Sequence, residues 1–331
     1  MRYLITGSAG FIGSSLVAGL LKEGHQVIGI DRYSDYYSPS FKHERVKKLV
    51  SGNLFTEYKL DLSDLESLIR IFQEHQIDSV IHLAAQAGVR LKGLEMESYV
   101  NDNLSAFANI LICSTTFKIP NFLYASSSSV YGNNASIPYK ESEKDLTPLS
   151  FYGATKRANE ILVDSVSRNS ETRFRGLRFF TVYGPWGRPD MAYFKILLSL
   201  INDEEFTLYG DGTTIRDFTY IDDVVSSIIE LDVELTKREP GFNDIVNIAG
   251  GKPSSINEMI NLLESVSRKK LKINYEIFNS LDVRQTKSDF RYLDSLISRV
   301  PTISLETGLS EFYNWATSPE IVSNINAWKF N

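Results

Sequence analysis

GSAGFIG, at residues 7–13, is a G-x-x-G-x-x-G motif. It follows an apolar run with strand character, Arg2 to Thr6, and opens a segment with helical spacing, Phe11 to Lys22. Glycines permit a tight turn and close approach of the backbone to a pyrophosphate, and the N-terminus of the helix supplies partial positive charge. In this context the motif predicts a phosphate site for a dinucleotide.

Short apolar runs alternate with longer stretches of helical spacing along the chain. The runs that predict strands are Arg2 to Thr6, Gln26 to Ile30, Leu54 to Lys59, Asp78 to Leu83, Asn121 to Ser126 and Phe174 to Phe180. The stretches that predict helices are Phe11 to Lys22, Asp64 to His75, Glu95 to Phe117 and Phe151 to Arg168. This alternation predicts an α/β protein with a doubly wound, Rossmann-type parallel sheet.

The rhythm changes at the Gly/Pro loop GPWGRPD, residues 184–190. Later strand-like pieces, Phe206 to Tyr209 and Leu271 to Phe278, are separated by irregular segments. We therefore predict a dinucleotide-binding domain at residues 1–184, with a return segment near 217–250. Residues 185–331 are predicted to form mainly a smaller α/β substrate lobe.

Composition narrows the class of protein. The chain has 331 residues and a formal net charge of −6 at pH 7, which argues against a general nucleic-acid surface or an anionic membrane surface. A single cysteine, Cys113, excludes an intramolecular disulfide framework and a cysteine metal cage. We therefore expect a cytoplasmic protein without a metal site and without a nucleic-acid or membrane partner.

An acidic residue stands where a dinucleotide ribose is expected. Asp31 follows Gly13 by eighteen residues and ends the second predicted strand, so its carboxylate could accept hydrogen bonds from a ribose diol. Because a carboxylate repels a 2′-phosphate, NAD is favoured over NADP, although the adjacent Arg32 leaves NADP open. Asp61 and Leu62, after the third strand, are candidates for contacting the adenine or for an ordinary turn.

A tyrosine and a lysine share one face at the start of the fourth predicted helix. Tyr152 and Lys156 are four residues apart, and a neighbouring ammonium stabilises a tyrosine phenolate, which moves its pKa toward the working range. The serine cluster at 126–129 ends the fifth predicted strand, at the sheet edge where α/β proteins bind ligands. Serine, tyrosine and lysine together suit hydride transfer at a carbinol carbon.

These motifs resemble the extended short-chain dehydrogenase/reductases, specifically the NAD-dependent epimerase/dehydratase family. The resemblance extends through HLAAQAGVR (82–90), ASSSSVYG (125–132), YGATK (152–156), RFFTVYGP (178–185), GDGTTIRDFTYIDDV (210–224) and DVRQTKSD (282–289). It implies NAD as cofactor and a catalytic triad of Ser127, Tyr152 and Lys156. With the motif residues, the predicted NAD site comprises Gly7, Gly10, Phe11, Ile12, Gly13, Asp31, Asp61, Leu62, Ala84, Asn103, Tyr152 and Lys156.

The same resemblance implies a UDP-sugar substrate. Thr181 and Arg188 match residues near the sugar carboxylate in the UDP-glucuronate 4-epimerases, and a guanidinium can pair bidentately with a carboxylate. Arg216 would bind the phosphates, although Arg188 and Arg216 could also be a plain loop cation and a surface ion-pair partner. The predicted substrate site comprises Arg90, Ser127, Ser128, Thr181, Arg188, Arg216 and Arg284.

The reaction class follows from what is missing after the serine. Family dehydratases and decarboxylases carry carboxylates there, whereas this chain has Ser128 and Ser129, so the resemblance implies 4-epimerisation. UDP-glucuronate is the leading substrate; UDP-glucose and UDP-N-acetylglucosamine are alternatives, since Thr286 matches a small residue that leaves room for a bulky sugar. A non-catalytic NAD-sensing interaction protein is a remote alternative. The family also implies a homodimer formed through helices at 95–117 and 151–168.

Overall fold

The computed structural model describes residues 1–88, 91, 93–277 and 283–328. Within these ranges the strands are β1 (Arg2–Thr6), β2 (Gln26–Asp31), β3 (Phe55–Lys59), β4 (Ser79–His82), β5 (Asn121–Ser127), β6 (Arg173–Phe179), β7 (Thr181–Tyr183), β8 (Glu205–Tyr209), β9 (Ile215–Tyr220), β10 (Asn243–Ile248), β11 (Pro253–Ser255) and β12 (Lys272–Glu276). Seven of these described strands form a parallel sheet in the order β10-β6-β5-β4-β1-β2-β3. The chain builds outward from β1 to β3 and then reverses to the other side of β1. This order confirms the predicted doubly wound fold.

Helices cover both faces of the sheet. In the described ranges they are α1 (Phe11–Lys22), α2 (Pro39–Leu49), α3 (Leu65–Glu74), α4 (Glu97–Val100), α5 (Ala106–Thr116), α6 (Phe151–Ser167), α7 (Ala192–Asn202), α8 (Ile221–Leu235), α9 (Ile256–Ser267), α10 (Arg291–Leu296), α11 (Leu305–Ala316) and α12 (Pro319–Val322). Helices α1 and α8 pack together in one core cluster, whereas α3, α5 and α6 contribute to another. None of the helices in the described ranges is both long and apolar enough to cross a lipid bilayer.

The central strands are apolar throughout because both of their faces are covered. Leu4, Val80 and Phe122 are paired neighbours on β1, β4 and β5 and point into one core cluster. Ile5 and Ile81, one residue further along, point into the other cluster. This alternation follows from the two-residue period of a strand and explains the continuous apolar runs in the sequence.

Two helical regions differ from the sequence prediction. Helix α2 was not predicted, because its sequence PSFKHERVKKL is largely polar and two of its buried side chains, Lys42 and Arg45, are cations. The single helix predicted over Glu95 to Phe117 is divided into α4, a π-helical segment at Asn101–Ser105, and α5. The π-helical segment contains a buried asparagine whose side chain ties it to neighbouring elements, as described below.

Two small sheets lie beyond the carboxyl ends of the main sheet. In one, β9 lies between β7, to which it is parallel, and β11, to which it is antiparallel. In the other, β8 and β12 pair in parallel. Strands β7, β8 and β9 contribute cavity-lining residues, so these sheets place side chains opposite the ends of the main sheet.

Candidate active site

A cavity of about 1120 Å³ extends from the GSAGFIG loop to β8 and β9. Most of the predicted site residues line it: Gly7, Gly10, Phe11, Ile12, Gly13, Asp31, Asp61, Leu62, Ala84, Ser127, Ser128, Tyr152, Lys156, Thr181, Arg188 and Arg216. Asn103 and Arg284 are not among its lining residues, and Arg90 lies outside the described residues. In the described part of the chain, no group of three or more His, Cys, Asp or Glu side chains could hold a metal ion.

The glycine loop leaves space that side chains would fill. Gly7 has a φ of +69°, and a Cβ placed on it would lie 2.8 Å from the backbone nitrogen of Ala84. A Cβ on Gly13 would overlap the carbonyl oxygen of Gly7. Glycine is therefore required at both positions for the loop to turn tightly into α1, and the backbone at the helix N-terminus stays open to a phosphate.

Asp31 is held at the end of β2 by two backbone groups. Its Oδ2 accepts a hydrogen bond from the Ala9 nitrogen at 3.0 Å, and its Oδ1 accepts one from the Tyr33 nitrogen at 2.7 Å. The carboxylate therefore has a fixed place in the cavity wall, next to the glycine loop.

Arg32 is divided between two other carboxylates. Its Nη1 donates to Asp61 at 2.8 Å and its Nη2 donates to Asp102 at 2.6 Å. With Asp31, this part of the cavity carries three carboxylates against two cations, Arg32 and Lys42. The local charge therefore disfavours a 2′-phosphate, which supports NAD over NADP.

The Asn103 side chain hydrogen-bonds two neighbouring residues of the protein, Gln86 and Thr155. Its Oδ1 accepts from the Gln86 nitrogen at 2.8 Å, and its Nδ2 donates to the Gln86 carbonyl and to the Thr155 hydroxyl, each at 3.1 Å. These contacts connect the loop after β4 to α6. The side-chain polar groups of Asn103 are therefore engaged within the protein, and its place near the cofactor stays a prediction.

Tyr152 lies close to Ser127 and Arg188. Burial raises the pKa of the tyrosine hydroxyl, whereas Arg188 and a hydrogen bond with Ser127 act to lower it, and the net direction is upward. The Ser127 hydroxyl is itself placed by Ser129, whose backbone nitrogen donates to it at 3.1 Å. The hydroxyls of Ser127 and Tyr152 thus face one part of the cavity, as the sequence predicts for a catalytic pair.

Lys156 is a buried cation whose Nζ has no hydrogen-bond partner within the described protein. The Nζ lies 5.9 Å from the centroid of the Tyr152 ring. Burial lowers the pKa of Lys156 to about 8, and burial together with Lys156 lowers the pKa of the neighbouring His82 to about 3, so His82 is neutral. An unsatisfied donor that lines a cavity is a natural contact for hydroxyl groups of a ligand.

The Lys156 side chain predicts a specific pH dependence of stability. Between pH 8 and 10.5 the unfolded chain binds a proton that the folded, nucleotide-free chain does not, so stability rises with pH in this window. Relative to Lys156→Met, the gain is on the order of 3 kcal/mol. Urea unfolding of both proteins at a series of pH values measures it, and parallel pH profiles would contradict the assignment.

Arg188 meets a carboxylate of its own loop. Its Nε donates to Asp190 Oδ1 at 3.0 Å and its Nη2 donates to Asp190 Oδ2 at 2.5 Å, forming a bidentate pair in the cavity wall. Burial alone would raise the pKa of Asp190, but Arg188 lowers it overall, so the carboxyl is ionised. Arg188 is therefore positioned for an anion but is already charge-compensated.

The remaining predicted substrate residues divide into two groups. Thr181, on β7, and Arg216, on β9, line the far part of the cavity together with the small, buried Thr286. Arg284 is exposed, and its carbonyl accepts a hydrogen bond from the Ile215 nitrogen at 3.0 Å. Arg284 thus supports β9 through its backbone, and its contact with the substrate stays a prediction.

A family model described as the NAD dependent epimerase/dehydratase family matches residues 3–249. The chain belongs to this family. The match confirms the resemblance that the sequence motifs indicated.

Relatives in this epimerase/dehydratase family align over nearly the whole chain. Protein CapI of Staphylococcus aureus is 40% identical over 95% of this chain and 98% of its own length. A UDP-glucuronate 4-epimerase of Thermodesulfobacterium geofontis is 38% identical, with 95% of both chains covered. The crystal structure of UDP-glucuronic acid 4-epimerase from Bacillus cereus in complex with UDP-glucuronic acid and NAD is 34% identical, with a TM-score of 0.85 over 95% of this chain and 98% of that one.

Two buried networks support this epimerase/dehydratase site and were missed in the sequence. Behind the serine cluster, Ser126 donates to Glu160 at 2.6 Å, and Glu160 is paired with Arg178 through contacts of 2.8 and 2.9 Å. Glu160 lies four residues after Lys156 on α6, so helical spacing was the available signal. The network fixes α6 against β5 and β6, and with it the catalytic face.

The second network joins the glycine loop at residues 7–13 to the Gly/Pro loop at residues 184–190. Arg45, fully buried on α2, donates from Nη1 to the Ala9 carbonyl at 2.8 Å and from Nη2 to the Trp186 carbonyl at 2.7 Å. Its guanidinium also lies 4.6 Å from the centroid of the Phe41 ring. No motif indicated this bridge, because the residues that it joins are 36 and 141 positions away in sequence.

Proposed function

We propose that the chain is an NAD-dependent isomerase that interconverts UDP-glucuronate and UDP-galacturonate by inverting C4 through a transient 4-keto sugar. One observation carries the proposal: a single cavity joins the glycine cradle and the unpaired Lys156 to Tyr152 and, beyond it, to Arg188. The relatives in Thermodesulfobacterium geofontis and Bacillus cereus, both named for this activity, support it.

The cofactor site is formed by the chain's own backbone and side chains. The N-terminus of α1, with Gly7 and Gly13, would hold the pyrophosphate of NAD, Asp31 the adenosine ribose and Lys156 the nicotinamide ribose. Bound NAD supplies a reversible hydride acceptor. The ribose hydroxyls would satisfy the Lys156 Nζ, which has no partner in the described protein.

Tyr152 is the acid–base group of the proposed reaction. It removes the proton of the 4-hydroxyl as C4 is oxidised and returns a proton to that oxygen when C4 is reduced. Arg188 and the hydrogen bond with Ser127 oppose the effect of burial and favour the tyrosine phenolate, and the Lys156 Nζ lies 5.9 Å from the centroid of its ring. The Ser127 hydroxyl would hydrogen-bond the reacting oxygen. Inversion requires the 4-keto sugar to present its opposite face before reduction.

Hydroxyl groups follow the catalytic serine where an eliminating enzyme would need acids. Ser128 and Ser129 line the cavity, and Ser129 serves to place Ser127. The carboxylate of Glu160, which accepts a hydrogen bond from Ser126, is buried behind the serine cluster and paired with Arg178. These residues support oxidation and reduction at one carbon without loss of water.

Arg188 is the group that favours a sugar carboxylate. It lines the cavity close enough to Tyr152 to influence its pKa, so a sugar positioned at Tyr152 can reach it. A guanidinium offers planar donor edges that match a carboxylate. Together with Thr181 on β7, it supports UDP-glucuronate as the substrate.

Purified protein incubated with UDP-glucuronate tests the proposal. We expect UDP-galacturonate to appear, without net consumption of added NAD, and the same equilibrium mixture to form from either sugar. Chromatography of the products measures this. Inactivity toward UDP-glucuronate, with rapid turnover of UDP-glucose or UDP-N-acetylglucosamine, would favour the neutral-sugar alternative. In that case the paired charge of Arg188 would tolerate a neutral sugar, and the small Thr286 would leave room for a bulky one.

We also propose that the chain forms a homodimer through α5 and α6. Large apolar side chains are exposed there, including Ile112 at 53% and Ile161 at 56%. An apolar groove between these helices is lined by Leu104, Ala108 and Ile161. Burying such a surface in a symmetric pair would remove it from water. Sedimentation of the wild-type protein and of Ile161→Glu would test this proposal.

We also propose that the protein acts in the cytoplasm, because its proposed ligands are soluble nucleotides.

A further inference from the structure

We propose that Asp190 is a specificity-determining residue, which sets how strongly the cavity prefers an anionic over a neutral sugar. It does so by occupying one edge of Arg188 as an internal carboxylate. The inference rests on the proposed function, since it concerns the same sugar site.

The geometry of the pair leaves part of the guanidinium for a ligand. Asp190 engages the edge formed by Nε and Nη2, with donor–acceptor distances of 3.0 and 2.5 Å. An arginine has a second edge, formed by Nη1 and Nη2, that can also receive a carboxylate. The Arg188 side chain is 23% exposed and that of Asp190 is 9% exposed, and both line the cavity. A substrate carboxylate and Asp190 would therefore share one cation.

The surroundings of Asp190 keep it in place and ionised. The Tyr36 hydroxyl, from the loop after β2, donates to its Oδ2 at 3.4 Å. Arg188 and Lys195 both lower its pKa, against the opposing effect of burial. The Arg188–Asp190 pair is therefore neutral as a unit before substrate binds.

Two consequences follow for the sugars. A neutral sugar can bind beside the closed pair without leaving an unpaired buried cation, which would be costly. An anionic sugar gains Arg188 but brings its carboxylate close to that of Asp190, and like charges at such range oppose binding. Asp190 thus reduces the preference that Arg188 alone would give.

The experiment measures dissociation constants for UDP-glucuronate and UDP-glucose in a Tyr152→Phe background, where turnover is slower by a factor on the order of 10³. Asp190→Asn removes the charge and keeps the shape and a hydrogen bond to Arg188. We expect the ratio of the two constants to shift toward UDP-glucuronate by at least about tenfold. Asp190→Ala, which also frees the Nε and Nη2 edge of Arg188, shifts the ratio in the same direction. The matched control Asp145→Asn removes the same charge from an exposed loop position outside the cavity and leaves the ratio unchanged.

Two readouts separate the possible results. UDP lacks the sugar, so a folded Asp190→Asn variant should bind UDP as tightly as the parent protein does. Arg188→Met should abolish the preference for UDP-glucuronate. An unchanged ratio in Asp190→Asn, or a shift toward UDP-glucose, overturns the role of Asp190 while leaving the proposed function intact if the wild-type protein epimerises UDP-glucuronate. A wild-type protein that is inactive on UDP-glucuronate overturns both.

Discussion

Replacing Tyr152 with phenylalanine lowers kcat for the UDP-sugar by a factor on the order of 10³, the range expected for loss of a positioned acid–base group. The change removes one oxygen atom and keeps the ring that packs against Tyr99, at a centroid distance of 6.1 Å. We therefore expect NAD and UDP-sugar to bind with nearly unchanged affinity. Initial rates and equilibrium binding of both ligands measure the two effects separately.

Tyr58→Phe is the matched control for this substitution. Tyr58 lies on β3 and its hydroxyl hydrogen-bonds His75 at 2.7 Å, outside the cavity. Its replacement also removes a phenolic hydroxyl but should leave kcat unchanged. A loss of less than about tenfold in Tyr152→Phe would mean that another group moves the proton.

Replacing Arg178 with methionine lowers the free energy of unfolding by about 3 kcal/mol, because the buried carboxylate of Glu160 loses its bidentate partner and keeps only Ser126 and the partly exposed Arg157. Both side chains are 1% exposed, so water cannot take the place of the guanidinium. Chemical denaturation measures the loss. Since Glu160 and Lys156 share a face of α6, kcat should fall as well.

The double variant Glu160→Met/Arg178→Met distinguishes a buried charge that has lost its main partner from lost packing. Removing both charges should recover much of the stability, since apolar side chains of similar size can replace a buried ion pair. Arg70, whose contact with Glu66 at 3.3 Å is exposed, provides the matched control: Arg70→Met should cost less than about 1 kcal/mol. Equal losses of unfolding free energy in Arg70→Met and Arg178→Met would show that burial of the Arg178–Glu160 ion pair does not increase its contribution to stability.

The main sheet was predictable because its pattern is local. Helix α1 spans Phe11–Lys22, as predicted to the residue, since a glycine turn precedes it and its apolar positions are regularly spaced. Helix α2 was missed because its inward face carries two cations: Lys42, which donates to Ser34 in the preceding loop, and Arg45, whose partners lie in distant loops. Patterns of hydrophobicity cannot report a cation that is buried by carbonyl groups elsewhere in the chain.

The candidate site was predictable where motifs place residues at strand ends and helix starts. Ser127 and Tyr152 were found in this way, and the structure brings them together. Asn103 and Arg284 were predicted to contact ligands but do not line the cavity, since a residue type and a motif do not show which neighbours a side chain will contact. Asp190 was overlooked for the same reason: its pairing with Arg188 depends on the turn at residues 184–190.

The unpaired ammonium of Lys156 makes the nucleotide-free chain an incomplete protein. Folding without the cofactor removes the Lys156 ammonium from water and gives it no hydrogen-bond acceptor in return. A ligand that accepts hydrogen bonds from this ammonium recovers part of that free energy and so stabilises the folded protein. We therefore expect the protein to retain NAD through repeated turnovers instead of exchanging it with the pool in each cycle. A catalyst that gives back every hydride it takes has no need to release the carrier, and it can work at a rate that does not depend on the oxidation state of the surrounding cofactor pool.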